Sequence, residues 1–216
     1  MPSKKLKPIL DHFHREIDYS LKLVRLVDEV KDAYQPKRGP KLSSKEVQLI
    51  AEFSFLNIFI AYEIFMEQAF IRYMMGGETS RGYKPKRYVS PKDEEHARKI
   101  TLQDFTSYTD WSTPDKIKRR AEYCFKNGEP FKTNIDLYIQ MLQDIKTIRN
   151  HITHSSIDAK EKFEDKARFY LGTLPPGKEL KVGAFLLMRN SRSASVENLN
   201  EYFCKQLKDF SKRIIS

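Results

Sequence analysis

Apolar residues recur at helical spacing along almost the whole chain. In the first segment they follow one another at steps of three, four or seven residues, namely Leu6, Leu10, Phe13, Ile17, Val24 and Val27. These steps place the side chains on one stripe of an amphipathic helix. A second segment, residues 47–75, is apolar on most sides, which is typical of a helix in the centre of a bundle. The pattern predicts a mainly α fold, a helical bundle.

Capping and breaking residues mark the helix boundaries. Start signals, either a capping box or a proline at the first helical position, occur at Ser43 with Glu46, at Ser90-Pro91, at Thr113-Pro114 and at Pro130. Stop signals occur at Gly76-Gly77 and Asn127-Gly128. A basic linker at 35–41 separates the first two helices, and a further helix is expected at about 156–171.

The C-terminal part departs from this pattern. Leu174-Pro-Pro-Gly177 breaks the preceding helix, and residues 179–189 look extended, with room for a short strand or hairpin. Ser195 is then expected to cap a final helix that ends near Arg213. No repeats are present, so we predict a single domain over 1–216, with a basic loop insertion around 76–112.

Composition and charge narrow the function classes. Of the 216 residues, 39 are Lys or Arg and 29 are Asp or Glu, giving a formal net charge of +10, which favours a polyanionic partner. The two cysteines argue against a disulfide framework. The most apolar segment has no charge-free stretch longer than residues 53–62, so no membrane span is expected. The first residues lack the apolar core of a secretory signal, which indicates a cytoplasmic protein.

One residue is out of place on the stripe of the 131–154 helix. Arg149 stands where the period requires an apolar side chain, between Ile145 and Ile152. A guanidinium on a core-facing stripe calls for an anionic partner, because an unpaired buried charge is strongly unfavourable. Asn150 follows at once, and His154 lies four residues after Asn150 on the same helix face. Guanidinium, amide and imidazole are therefore expected together at one helix end.

The sequence Arg149-Asn150-x-x-x-His154 resembles the R-[polar]-x-x-x-H signature of HEPN-superfamily ribonucleases. The resemblance spans roughly residues 44–172 and is closest in layout to the larger prokaryotic toxin and defence branches with loop insertions. It implies a bundle of four core helices plus extra helices, with Arg149, Asn150 and His154 as catalytic residues. It also implies a homodimer in which the motifs of two chains face each other across one cleft.

These residue types suit RNA cleavage without a metal or any other cofactor. RNA carries its own nucleophile, the 2′-hydroxyl, so the protein has to supply proton transfer and a cation for the developing phosphorane. Histidine exchanges protons near neutral pH, and arginine grips phosphate with two parallel hydrogen bonds. His151 and His154 also form an H-x-x-H pair, but no third ligand stands nearby, so no metal site is predicted.

Structural explanations compete with each of these roles. Arg149 would serve the fold if it paired with Glu63 or Glu67, two like charges four residues apart on the central helix. An arginine held by Glu63 and released towards phosphate would satisfy both explanations, so both glutamates are candidate supporting residues. For His154 the structural explanation is stabilisation by the dipole at the C-terminal end of the helix.

Two basic clusters are candidate RNA contacts. Residues 81–92 carry five positive charges and no acid, interleaved with tyrosines that suit base stacking. A second cluster follows at 116–120. The candidate contacts are Lys84, Lys86, Arg87, Lys116, Lys118, Arg119 and Arg120, although as solvated faces these residues need no function.

The sequence therefore predicts an endoribonuclease that acts as a toxin or an abortive-infection or antiviral effector, with an antitoxin or regulatory protein as a further partner. The alternative is a non-catalytic HEPN bundle that binds RNA or a partner protein such as a nucleotidyltransferase antitoxin. A third hypothesis is a basic DNA-binding accessory protein, for which salt-sensitive duplex binding without strand scission is expected.

Overall fold

The structure is a computed structural model that describes residues 5–33, 42–79, 81–102, 108–154, 156–175, 179–192 and 197–215. Its α-helices are α1 (Lys7–Ala33), α2 (Ser44–Met74), α3 (Glu94–Thr101), α4 (Pro114–Cys124), α5 (Phe131–Thr153), α6 (Ile157–Leu171), α7 (Val182–Leu187) and α8 (Leu199–Ile215). The mainly α fold is confirmed. The predicted linker at 35–41 and the predicted cap at Ser195 lie outside the described residues.

Most helix starts occur where capping chemistry predicts them. At the start of α2 the Ser43 amide donates to the Glu46 carboxylate, and the Glu46 amide donates to Ser43 Oγ over 3.3 Å. Thr113 is the N-cap of α4, with Pro114 at its first position. The contacts of Ser43 and Glu46 satisfy backbone amides that have no partner within their own helix, whereas Thr113 makes no side-chain capping bond and accepts the Ile117 amide with its carbonyl.

Helix α3 begins later than predicted. Its N-cap is Asp93 rather than Ser90, and the Asp93 carboxylate accepts the His96 amide at 2.8 Å. The proline signal at Ser90-Pro91 is misleading because the side chain of Asp93, three residues after Ser90, caps the helix instead and accepts one of its unpaired amides.

The predicted strand or hairpin at 179–189 is wrong over Val182–Leu187, which form α7. Val182, Phe185 and Leu186 are buried together, as a short apolar helix requires. After α7, Arg189 forms an isolated antiparallel bridge with Asn198, which lies outside the predicted segment. Asn198 also caps α8, because its side chain accepts the Glu201 amide at 2.9 Å.

The chain divides into two compact units. The first unit comprises Met1–His14, Ala61–Gln143 and Leu207–Ser216, and the second comprises Arg15–Ile60 and Asp144–Gln206. Helices α1, α2, α5 and α8 contribute residues to both units, and a single domain over 1–216 stays a prediction.

Aromatic side chains dominate the core of each unit. In the first unit the Phe70 ring lies 4.8 Å from that of Phe131 and 5.1 Å from that of Trp111. In the second unit the Tyr170 ring meets that of Phe203 edge-on at 5.2 Å. Such pairs add to the stabilisation that burial of the rings provides.

Helix α2 is the one helix, within the described ranges, that is long and apolar enough to cross a membrane by length and composition. In the structure 44% of its most apolar window is buried, and core helices of soluble proteins meet the same criteria. The absence of a membrane span therefore stays a prediction. It rests on the length of the longest charge-free stretch of that segment, residues 53–62, which is too short to cross a bilayer.

Candidate active site

The predicted motif lies at the C-terminal end of α5, within the second unit. Ile145 and Ile148, which precede it, are almost completely buried. Arg149 and Asn150 are half-buried, and His154 is exposed directly after the last helical residue. The helix therefore has the predicted buried stripe, and Arg149 lies on it at the edge of the core, where its guanidinium is partly exposed.

Two contacts hold the Arg149 guanidinium. Its Cζ lies 5.3 Å from the centroid of the buried Phe59 ring on α2, within the range of a cation–π contact. Its Nη1 donates to Asn150 Oδ1 over 3.2 Å. Because the ring holds one face and the amide one nitrogen, the remaining N–H groups of the fork can donate to a phosphate.

His154 is placed by the helix backbone. Its amide donates to the Asn150 carbonyl over 2.8 Å, so the helical hydrogen-bond pattern continues to His154. Asn150 and His154 therefore lie one turn apart on the same face, as the spacing predicts. The end of α5 therefore carries a guanidinium held by a ring and an amide and, five residues further on, an exposed imidazole.

His151 has a different environment from His154. Its ring stacks on the buried Phe163 ring, with centroids 4.8 Å apart and planes inclined by 19°. Burial lowers its pKa below the usual 6.5, Lys160 lowers it further, and Glu179, Glu164 and Glu52 oppose the shift. His151 Nδ1 is buried with no hydrogen-bond partner among the described residues.

Two adjoining cavities lie beside His151. The smaller, of about 210 Å³, is lined by His151, Ile152, Glu52, Glu179, Leu180, Lys181 and Val182. The larger, of about 520 Å³, shares four of these residues and extends along α2 and α7. The additional residues of its lining are Lys45, Gln48, Leu49, Pro175, Ala184 and Met188.

The two candidate supporting glutamates lie in the first unit, on the later part of α2. The Glu67 carboxylate forms an ion pair with Arg98 of α3, so it already has a cationic partner in its own unit. Glu63 is half-buried, and it acts on its neighbour Tyr62, whose pKa is raised mainly by burial and further by the Glu63 charge. A supporting role of either residue at Arg149 stays a prediction.

The candidate RNA contacts all lie in the first unit, and acids or carbonyls hold several of them. Lys84 pairs with Glu78 and Lys116 with Asp110, at 3.1 and 3.2 Å. Lys118 Nζ lies 2.9 Å from the Asp136 carboxylate. Lys86, Arg87 and Arg119 are exposed, and Arg87 also donates to the Met74 carbonyl.

Arg120 has to be removed from the RNA-contacting set. Its side chain is buried, and its guanidinium donates to the carbonyls of Thr101 and Asp110 and lies over the Trp111 ring. The cluster 116–120 is therefore not one basic face. On α4 the helix period turns Arg120 inward while Arg119 remains exposed.

Sequence reasoning missed the residues around the cavities. Glu52 stands on an apolar helix, and Glu179 and Lys181 stand in a segment that was expected to be extended. The one sequence signal concerns Glu52: a charged residue inside an apolar helix needs a polar neighbour. Glu52 finds it in the Gly183 amide, which donates to its Oε1 over 2.8 Å.

The described residues contain no group of three or more His, Cys, Asp or Glu side chains that could hold a metal ion. No protein-family model, curated protein or solved structure matches this chain.

Proposed function

We propose that this chain is a metal-independent endoribonuclease that cleaves RNA by attack of the 2′-hydroxyl, with Arg149, Asn150 and His154 as its catalytic residues. The observation that supports this most directly is the combination at the end of α5: a guanidinium held by Phe59 and Asn150, followed five residues later by an exposed imidazole. The resemblance of this motif to that of HEPN ribonucleases points to the same chemistry.

The chemistry needs two proton transfers and one cation. A neutral imidazole takes the proton of the 2′-hydroxyl, whose oxygen attacks the adjacent phosphorus. The P–O5′ bond breaks, and an imidazolium gives its proton to the leaving 5′-oxygen. The products are a 2′,3′-cyclic phosphate and a 5′-hydroxyl. Arg149 stabilises the charge that builds on the non-bridging oxygens, and Asn150 orients Arg149.

One chain offers one exposed histidine at this helix end, whereas the reaction uses an acid and a base. A homodimer with two facing motifs would supply both. Helix α2 supports this arrangement, because in the unit that holds the motif it exposes the apolar side chains Leu49, Phe53 and Ile60. Their spacing places them on one helix face, and exposed apolar stripes of this kind mark interaction surfaces.

We further propose that the protein works in the cytoplasm as a toxin or as an antiviral effector. Unrestrained RNA cleavage harms the cell that makes the enzyme, so such an activity needs a restraining partner, an antitoxin or a regulatory protein. This step is supported by the HEPN resemblance alone.

The test is cleavage of structured and single-stranded RNA by the full chain in EDTA. His154→Ala is expected to reduce the rate about 10²–10⁴-fold, because it removes the proton carrier. Arg149→Ala is expected to reduce it about 10²–10³-fold, because it removes charge stabilisation in the transition state. A strand with 2′-O-methyl groups should resist cleavage, because it lacks the nucleophile.

His12→Ala is the matched control, since His12 is an exposed histidine of α1 outside the motif. It should cleave like the wild type, and circular dichroism should show all variants folded. Equal rates for His154→Ala and the wild type would overturn the catalytic assignment. RNA binding with no cleavage by any protein would favour the non-catalytic bundle, and salt-sensitive binding of duplex DNA alone would favour the accessory-protein hypothesis.

A further inference from the structure

We propose that the two cavities beside His151 form a binding site for a guanine base of the RNA strand, next to the bond that is cut. This inference rests on the proposed ribonuclease function and deepens it, because it names what would select the cleavage site. Its basis is the lining of the cavities in the second unit, which combines carboxylates, ammonium groups, an imidazole and an apolar wall.

Position and size suit a nucleotide that flanks the reacting phosphate. His151 and Ile152 line the smaller cavity and stand on α5 between Asn150 and His154, so the cavity borders the helix segment that carries the motif. The larger cavity holds about 520 Å³, inside the range of roughly 300–1,000 Å³ that small-molecule sites occupy. A strand that binds at this helix end therefore meets a cavity large enough for a base.

The walls suit the flat faces of a base. Leu49, Leu180 and Met188 give the larger cavity an apolar side. His151 gives the smaller one an aromatic ring, which is held in place by stacking on Phe163. Bases that are splayed out of single-stranded RNA bind to proteins by contacts of this kind.

The polar groups match guanine better than the other three bases. Glu52 and Glu179 line both cavities, and carboxylates accept hydrogen bonds. Guanine presents two adjacent donors, N1–H and the N2 amino group, while its O6 and N7 accept. The Lys181 ammonium group, which also lines both cavities, can donate to those acceptors. Adenine and cytosine offer a single exocyclic amino group on this edge, and uracil offers none.

The contacts already present leave this capacity available. Glu52 Oε1 accepts the Gly183 amide, which fixes the carboxylate at the cavity wall, and no partner of Oε2 is found in the described part of the chain. Glu179 is ion-paired with Lys160 at 2.9 Å. The ammonium groups of Lys45 and Lys181 balance the carboxylates of Glu52 and Glu179, so the lining carries no net negative charge that would repel a phosphate following the base.

The test uses a set of labelled uridine strands that carry one guanosine, adenosine or cytidine at the same position. The full-length wild type is expected to cut beside guanosine at least about tenfold faster than beside the other two bases, as one bidentate base contact provides. In Glu52→Gln this ratio should fall to about one. The glutamine oxygen can still accept the Gly183 amide, but its amino group opposes the donors of guanine. Glu161→Gln, on the exposed side of α6, should keep the wild-type ratio.

A binding experiment separates this inference from the proposed function. The same strands with 2′-O-methyl groups, and guanosine monophosphate alone, are titrated against the His154→Ala protein and followed by fluorescence anisotropy or calorimetry. Guanosine-selective strand binding that Glu52→Gln abolishes supports the base site even if no protein cleaves RNA, in which case the function alone fails. Three outcomes would overturn the base site. They are cleavage without base preference, equal binding of all strands, and binding of the free nucleotide without strand selectivity.

Discussion

His151 and His154 are three positions apart at the end of one helix, yet their side chains have different environments. His154 is exposed, whereas His151 is half-buried and its ring lies against that of Phe163. Burial of an imidazole disfavours its charged form, and this is the main cause of the lowered pKa of His151. His151 therefore stays neutral near pH 7, where it can contact a ligand as a neutral ring, while His154 faces the solvent.

This difference predicts an acid sensitivity of folding. The pKa of His151 is lower in the folded chain than its usual value of 6.5, so the unfolded chain binds the proton more readily. Its contribution to stability is present above that value and is lost as the pH falls below it, through the lower pKa of the folded chain. His151→Phe keeps the ring stack and removes the titration, so its free energy of unfolding should change less than that of the wild type between about pH 7.5 and 5.5.

Urea denaturation at several pH values measures this slope. The acids with lowered pKa, among them Asp110, titrate below this window, so they leave the comparison undisturbed. Parallel curves for the wild type and His151→Phe would contradict the assigned environment of His151.

At the scale of elements, a buried carboxylate joins α5 to α6. Asp144 is completely buried, the Tyr170 hydroxyl donates to it over 2.7 Å, and Lys166 Nζ lies 2.9 Å from it. Asp144→Ala should lower the free energy of unfolding by about 3 kcal/mol, because it leaves a partly buried ammonium group without its counter-charge. Asp144→Asn should cost less, because the amide oxygen still accepts from Tyr170.

Denaturant titration of the two variants distinguishes lost pairing from lost packing. If both variants lower the free energy of unfolding equally, the loss comes from the ion pair with Lys166, and the hydrogen bond from the Tyr170 hydroxyl contributes nothing. If Asp144→Ala is neutral, the carboxylate does not hold the two helices together.

Helix α7 packs on α2 so closely that a glycine is required. A Cβ at Gly183 would lie 2.1 Å from the Gln48 carbonyl oxygen and 2.7 Å from Gln48 Cα, which are backbone atoms of α2. Gly183→Ala should therefore destabilise the protein by about 1–3 kcal/mol through overpacking. Helix propensity alone gives the opposite sign, a gain of up to about 1 kcal/mol. Thermal unfolding decides between them, and a raised melting temperature would contradict the close contact.

Local chemistry explains which elements the sequence can predict. Ser43 with Glu46, and Thr113 before Pro114, act within one helical turn, and the structure confirms both starts. The segment 182–187 is different, because six apolar residues satisfy a strand and a short helix equally well. In the structure this segment is a helix whose Gly183 packs against α2. Because that contact joins residues far apart in the sequence, a local pattern of apolar residues does not reveal it.

The parts of the candidate site that depend on local helix spacing could also be predicted from the sequence, and the parts that depend on long-range contacts could not. Arg149 is visible as a charge on an apolar stripe, and the spacing to His154 follows from the helix period. The cavity beside His151 brings together residues more than a hundred positions apart, Glu52 and Glu179, which no spacing rule connects. The burial of Arg120 was equally hidden, because carbonyls of neighbouring segments hold it.

At the scale of the whole molecule, the proposed chemistry makes activity depend on association. One chain supplies one exposed histidine at the end of α5, so acid and base come together when two chains meet. The exposed face of α2 in the same unit is the surface we expect to mediate this contact. Phe53, 56% exposed, lies in the middle of that face, next to the cavity residue Glu52.

Phe53→Asp is expected to convert a dimer into a monomer and to abolish RNA cleavage together. An aspartate on an apolar contact face has to be desolvated on association, whereas in the separate chain it remains in water. The free energy of unfolding of the monomer should therefore change by less than about 0.5 kcal/mol.

Light scattering measures the mass of the particle in solution, and the RNA assay measures the cleavage rate. Tyr123→Asp, at an exposed aromatic residue of the first unit, is the control that should remain dimeric and active. A Phe53→Asp monomer that still cleaves RNA would show that one chain completes the reaction alone, and a wild type that is monomeric at every concentration while it cleaves RNA would show the same.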